Sequence, residues 1–190
     1  MSKKIVAALA IVFLVCLFSV SVFAQKTPQV GDNLPEMELL KPADKALLKY
    51  LGLSGNGYFK INQIKTQAVI IQIFSMYCPY CQADAPNINR LYALIESDAR
   101  TKDKIKIIGI GAGNTQFEVN TYKKKYKVEF PLIPDADFKI HQIVGEVRTP
   151  YFIVAKLDGS EQPKVLYSKL GAHEDVKAFL EQVVKTTGVK

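Results

Sequence analysis

Residues 68–81 read Ala-Val-Ile-Ile-Gln-Ile-Phe-Ser-Met-Tyr-Cys-Pro-Tyr-Cys. The first seven are almost continuously apolar and rich in β-branched side chains, as expected of a central strand buried on both faces. Ser75, Met76 and Tyr77 lead out of it, and from Cys78 a helical pattern runs to Ser97, with Ile88, Leu91, Tyr92 and Ile95 on one face. A buried strand feeding straight into a helix is the first half of a parallel crossover, and the second half follows. Residues 105–110 predict another buried strand, 111–114 a loop, and 115–126 an amphipathic helix.

The same alternation continues outward. Residues 128–133 predict a short strand, and Asp135 is placed to cap a helix over 136–144. Residues 151–155, the Asp158-Gly159 turn and residues 165–167 predict a hairpin, and 174–184 a closing amphipathic helix. On the N-terminal side the ordered part begins at 34–40. A short helix over 43–51 is ended by Gly52 and the Ser54-Gly55-Asn56-Gly57 turn. No internal repeat occurs. The fold class is therefore α/β, one domain over 34–190 with a central sheet and a right-handed crossover.

Composition fits that reading. The 190 residues are 48% hydrophobic and 23% charged, which excludes a disordered scaffold. The formal charge is +7, but Lys3 and Lys4 belong to a leader, and the remainder carries 23 basic against 18 acidic residues. The densest basic cluster, Lys123, Lys124, Lys125 and Lys127, reads as a solvated helix end, so no nucleic-acid partner is expected. Residues 1–24 combine a short positive region, an uncharged aliphatic run over 5–22 and a small-residue stretch ending at Ala24, which is an export signal. Cleavage before Gln25 is the favoured outcome, and retention as an N-terminal membrane anchor is the alternative. Cys16 follows Val15 where lipoprotein processing wants a small residue, so it reads as an apolar leader residue. Residues 25–33, with Pro28 and Gly31, read as a linker into the domain.

An exported domain works where disulfides persist unless something reduces them. Outside the leader only Cys78 and Cys81 remain, so there is no disulfide framework. A pair at C-x-x-C spacing in a domain large enough to fold without it points to reactivity. At a helix N-terminus unpaired N–H groups and the positive end of the macrodipole stabilise a thiolate at Cys78. Cys81, one turn along, lies within disulfide reach and can resolve a mixed disulfide at Cys78. Pro79 suits the first helical turn. A purely stabilising disulfide across so short a loop would constrain the unfolded chain little, and no second pair of ligands completes a zinc site.

These residues resemble the thioredoxin superfamily, and within it the exported TlpA/ResA-type thiol-disulfide oxidoreductases that border on the AhpC/TSA peroxiredoxins. The resemblance covers residues 30–185. It rests on Val30-Gly31-Asp32 with Leu34-Pro35, on Cys78-Pro79-Tyr80-Cys81 after a strand, on Asp84 and Pro86 in a C-x-x-C-x-x-[E/D]-x-P pattern, and on Thr149-Pro150 before a strand. It implies a thioredoxin-like fold with a central mixed sheet, an N-terminal extension and an inserted helix-strand segment over 111–133. It also implies that Pro150 is cis beside the cysteines and that Thr149 offers backbone to an extended substrate. Tyr77, Pro79, Tyr80, Thr149 and Pro150 would then contact substrate. Asp84 takes the place of an acid that tunes the cysteines, or is a plain first-turn acid favoured by the helix dipole. Two positions depart from thioredoxins: Gln72 replaces a buried acid and Tyr77 a Trp.

The activity so implied is protein-disulfide oxidation–reduction with no cofactor beyond a Cys78–Cys81 disulfide. Reduction of exported cysteine-bearing proteins, fed by a membrane thiol-disulfide donor, is the expected role. A thiol peroxidase would use Cys78, Cys81, Arg148 and Ser75, but Ile71 stands where peroxidases carry Pro. A copper-handling module would use Cys78, Cys81 and His141. Gly109, Gly111 and Gly113 fail the dinucleotide pattern at Asn114, and His173 stands alone.

Overall fold

The computed structural model describes residues 26–189, so the leader and Cys16 lie outside the described residues. Five strands form the main sheet: β3 (Ala68–Phe74), β4 (Ile105–Ala112), β5 (Leu132–Asp135), β6 (Tyr151–Lys156) and β7 (Lys164–Leu170), in the order β5-β4-β3-β6-β7. β3 pairs parallel with β4 and antiparallel with β6, and β4 pairs parallel with β5. The sheet is mixed, with β3 at its centre and every residue of β3 buried. α2 (Pro79–Ser97), α3 (Gln116–Tyr126) and α5 (Val176–Thr187) cover the face that carries Ile70 and Phe74. The face of Val69, Ile71 and Ile73 packs on Leu34, Met37 and Leu39, on Leu51 of α1 (Lys45–Leu51) and on Ile140 of α4 (Lys139–Ile143). The architecture is that of a thioredoxin fold.

Three local expectations are corrected, and one element has no counterpart in the sequence reading. The strand expected over 128–133 begins only at Leu132. The N–H of Val128 is taken by the Lys123 carbonyl, in the turn that ends α3 around left-handed Lys127, and so cannot join the ladder. Val128 and Phe130 are buried all the same, and that burial produced the misleading pattern. The helix expected over 136–144 is only α4. Asp135, the last residue of β5, caps it from a distance, its carboxylate accepting the N–H groups of Ile140 at 2.9 Å and His141 at 2.8 Å. A second, two-stranded sheet joins β1 (Glu38–Leu40) to β2 (Tyr58–Lys60), and three-residue strands carry no readable period in the sequence. The stretch expected as a linker is partly sheet-like: Gly31 N–H donates to the Val165 carbonyl and Val165 N–H to the Asp32 carbonyl, which covers the edge of β7.

Beyond β7, the His173 ring stacks on Phe179 at 3.8 Å, lies 4.7 Å from Phe152 and meets the Tyr167 hydroxyl at 3.4 Å. Burial there, helped by Lys169, pushes its pKa down to about 4. The folded protein thus refuses a proton that the unfolded chain accepts below about pH 6.5. Stability is full above that pH and this contribution is lost as pH falls toward 4, by about 1.4 kcal/mol per pH unit. Denaturant melts across this window should show a shallower acid slope for His173→Phe; an identical slope would exclude the residue as the source.

Candidate active site

Cys78 is the N-cap of α2 and Pro79 occupies the first helical position. The spacing of two residues between the cysteines is the spacing of a cap and the third helical N–H. Cys78 Sγ accepts the Cys81 N–H at 3.3 Å, as a Ser or Thr oxygen would at this position. The Cys78 thiol also reaches the Thr149 carbonyl at 3.3 Å. Both cysteines are free thiols, Cys78 half-buried and Cys81 fully buried. Burial works to raise the Cys78 pKa. Hydrogen bonding from the Thr149 side chain, the Cys81 thiol and the backbone of Cys81 and Tyr80 outweighs it, and the net shift is downward. Cys81 goes the other way: burial, then the hydrogen bond with Cys78, pushes its thiol up to about 12. The pair is therefore asymmetric, a half-buried thiol eased toward ionisation and a buried thiol held protonated beneath it.

The turn that carries Cys78 is held from outside its own element. Asn114, fully buried in the loop after β4, accepts the Met76 N–H at 2.8 Å through Oδ1 and donates to Ser75 Oγ at 3.3 Å through Nδ2. Gln82 donates to the Met76 carbonyl at 2.7 Å, Cys78 N–H to that of Ser75 at 3.1 Å, and the Tyr77 hydroxyl to Glu118. Asn114→Ala frees Met76 and Ser75 together. We expect the pH midpoint for alkylation of Cys78 to rise and the neutral-pH rate to fall about threefold to tenfold, the worth of one lost hydrogen bond. An unchanged midpoint in the folded variant would show that the turn needs no such tie.

The Thr149-Pro150 bond is cis. Thr149 stands against the sulfur, and Pro150 follows it immediately before β6. Tyr80 is 74% exposed and Tyr77 64%, so the aromatic residues that flank Cys78 in the sequence are both largely exposed. Asp84 does not lie on a solvated surface. It is 2% exposed, its Oδ1 takes only the Asn87 side chain at 3.2 Å, and its Oδ2 is buried without a hydrogen-bond partner. Burial pushes its pKa up to about 6, against a small opposing effect from Asn87. Gln72, also buried, shares its sheet face with Ile70 and Phe74, the face against which Cys81 packs. Tyr122 of α3 had no sequence signal beyond an amphipathic helix. Its hydroxyl donates to the Cys81 carbonyl at 2.8 Å and its ring packs on Phe74 at 4.8 Å.

The remaining candidates resolve structurally. A Cβ on Gly109 would sit 2.5 Å from Leu132, and one on Gly111 3.1 Å from Asn114, so these glycines permit close packing. His141 Nε2 is 2.8 Å from the Val147 carbonyl. Among the described residues no group of three or more His, Cys, Asp or Glu is gathered for a metal ion. Lys124, Lys125 and Lys127 are solvated, whereas Lys123 donates to the Phe130 carbonyl at 2.7 Å. Among the described residues no helix is long and apolar enough to cross a membrane.

A mixed five-stranded sheet with a cysteine pair at the first turn of α2 and the approach to β6 against it is the arrangement of the thioredoxin-fold class. The family profile described as AhpC/TSA matches residues 30–164, and the chain belongs to that family. A curated relative, the thiol-disulfide oxidoreductase ResA of Halalkalibacterium halodurans, is 20% identical over 86 residues. That match covers 45% of this chain and 46% of the relative, so the chain spans about half the length of the curated protein it matches. A crystal structure of a candidate thiol:disulfide interchange protein DsbE from Chlorobium tepidum superposes with a TM-score of 0.64 at 17% identity, covering 85% of this chain and 100% of that one. StoA from Bacillus subtilis gives 0.55 at 18% identity, covering 82% and 98%. These likenesses establish the fold.

Proposed function

We propose that the chain is an extracytoplasmic thiol-disulfide oxidoreductase that reduces exported cysteine-bearing proteins. The observation that carries this is the placement of one cysteine pair at a helix N-terminus, with Cys78 half-buried, its Sγ accepting the Cys81 N–H at 3.3 Å, and Cys81 fully buried beneath it. The Cys78 thiolate attacks one sulfur of a substrate disulfide, and the other substrate sulfur leaves as a thiolate that takes a proton from solvent. Cys81 loses its proton and attacks Cys78 Sγ, which forms the Cys78–Cys81 disulfide and releases the second substrate thiol. Two electrons pass to the substrate. Asp84, buried with an unpaired oxygen near this turn, is the candidate acceptor for the Cys81 proton. A membrane thiol-disulfide donor returns the electrons, and the export signal at residues 1–24 supplies the compartment.

The test is the reduction potential of the pair, equilibrated in defined thiol buffers with Cys78→Ser as control. A value near about −270 mV fits a reductase, and one near about −120 mV makes the protein a disulfide donor instead. No reversible Cys78–Cys81 disulfide would end the oxidoreductase reading. Because Ser75 and Arg148 line the cleft beside Cys78, hydrogen peroxide is the second substrate class, and its rapid turnover would favour a peroxidase.

A further inference from the structure

Beside the cysteine pair a cleft of about 420 Å³ opens between the 75–77 turn, the end of β4 and the approach to β6. Ser75, Tyr77, Phe138, Val147, Arg148 and Thr149 line it. It adjoins the reacting centre through Thr149, which lines it and whose carbonyl is 3.3 Å from Cys78 Sγ. Its size falls within the roughly 300–1,000 Å³ of ligand sites.

The wall of this cleft is built at a cost that burial of its own residues does not explain. Phe138 is 46% exposed, yet its backbone is held in the left-handed region with φ 58°, where an aromatic residue is strained. The Asp135 carboxylate, bound to the first turn of α4, fixes the turn that presents it. Opposite the ring stands Gly113, at which a Cβ would lie 2.2 Å from Phe138 Cζ. Only a glycine there leaves room for the end of the ring. At the rim, Arg148 is exposed and makes no ion pair among the described residues. An apolar wall beside an unpaired cation, separated from the Cys78 sulfur only by Thr149, describes the occupant chemically.

We propose that this cleft is the substrate-selecting subsite of the protein. It takes a large apolar side chain adjacent to the reactive cysteine of a partner polypeptide, with an acidic residue next to it paired to Arg148. The inference rests on the thiol-disulfide reading above and adds the sequence class of the partner. Filling the cleft covers the Phe138 ring and holds the partner's sulfur in line with Cys78, so the selection appears in the rate of the first attack. The step balances as before: one peptide disulfide and one Cys78/Cys81 dithiol give two peptide thiols and one Cys78–Cys81 disulfide.

The experiment uses the reduced protein and homodimeric peptide disulfides in which cysteine is followed by Phe-Glu, Phe-Lys or Ala-Gln, each also made with the pair preceding the cysteine. Released thiols are alkylated and counted over time. In one orientation the Phe-Glu peptide should react about tenfold faster than Ala-Gln, the scale at which one apolar side chain discriminates, with Phe-Lys between them. Phe138→Ala should bring the Phe-Glu to Ala-Gln ratio close to one, and Arg148→Gln should erase the Phe-Glu to Phe-Lys difference. Equal rates on all peptides, with cystamine still reduced, would overturn the subsite and leave the oxidoreductase reading standing. Failure to reduce any peptide or cystamine would overturn both.

Discussion

Cys81→Ser protein, mixed with a disulfide-bonded substrate, should accumulate as a covalent adduct through Cys78. Apart from reversal by the substrate's own thiolate, Cys81 supplies the forward route out of the mixed disulfide without an external thiol, and it is held one helical turn from the sulfur it must attack. Intramolecular attack from such a position carries a very high effective concentration, which a serine cannot replace. Steady-state disulfide reduction should fall at least about a hundredfold, while the first attack proceeds because the capping N–H of residue 81 is retained. Non-reducing electrophoresis would show the adduct, and added dithiol would release it. Turnover at the wild-type rate without an adduct would mean that Cys81 plays no part in resolution.

Asp84→Asn should separate stability from chemistry. The native carboxyl titrates at about 6 against the ordinary aspartate value of 3.8, so between those values the folded protein holds a proton that the unfolded chain has lost. Above about pH 6 the ionised, buried carboxylate therefore opposes folding in full, and the opposition vanishes as pH falls toward 3.8. The asparagine removes that cost, and stability at pH 8 should rise by about 2 kcal/mol, with no gain at pH 4. His173 slopes the other way over nearly the same window, so the variant should show a steeper acid loss than the wild type. Release of substrate from the mixed disulfide should slow about tenfold to a thousandfold if Asp84 receives the Cys81 proton. A stabilised variant with an unaltered release rate would assign Asp84 a cost without a catalytic return and leave the proton to water.

Much of this molecule was legible in its sequence where the determining forces are local. β3 could be recognised because seven apolar residues in succession have no other place than the middle of a sheet. α2 could be recognised because its period is long and its cap, Pro79 and C-x-x-C spacing agree. β5 was misplaced because burial of Val128 and Phe130 by packing mimics burial by pairing. α4 was overextended because Asp135 caps from five and six residues away, a reach that no local capping rule contains.

The amino-acid sequence by itself determined an α/β chain whose central strand delivers a cysteine pair to the start of a helix. Strand burial, helical period and a cap-to-third-residue spacing all act within one or two turns of chain. Only the tertiary structure decided what surrounds that pair. Asn114 reaches Met76 across 38 residues, and Cys78 meets Thr149 across 71. Those meetings follow from the strand order β5-β4-β3-β6-β7, which sets the loops after β3 and β4 and the approach to β6 at one end of the sheet. Whether Asp84 was solvated or buried, and whether Phe138 walled a cleft or filled a core, also depended on neighbours distant in sequence. Burial is a property of the assembled layers, and no window of sequence contains it.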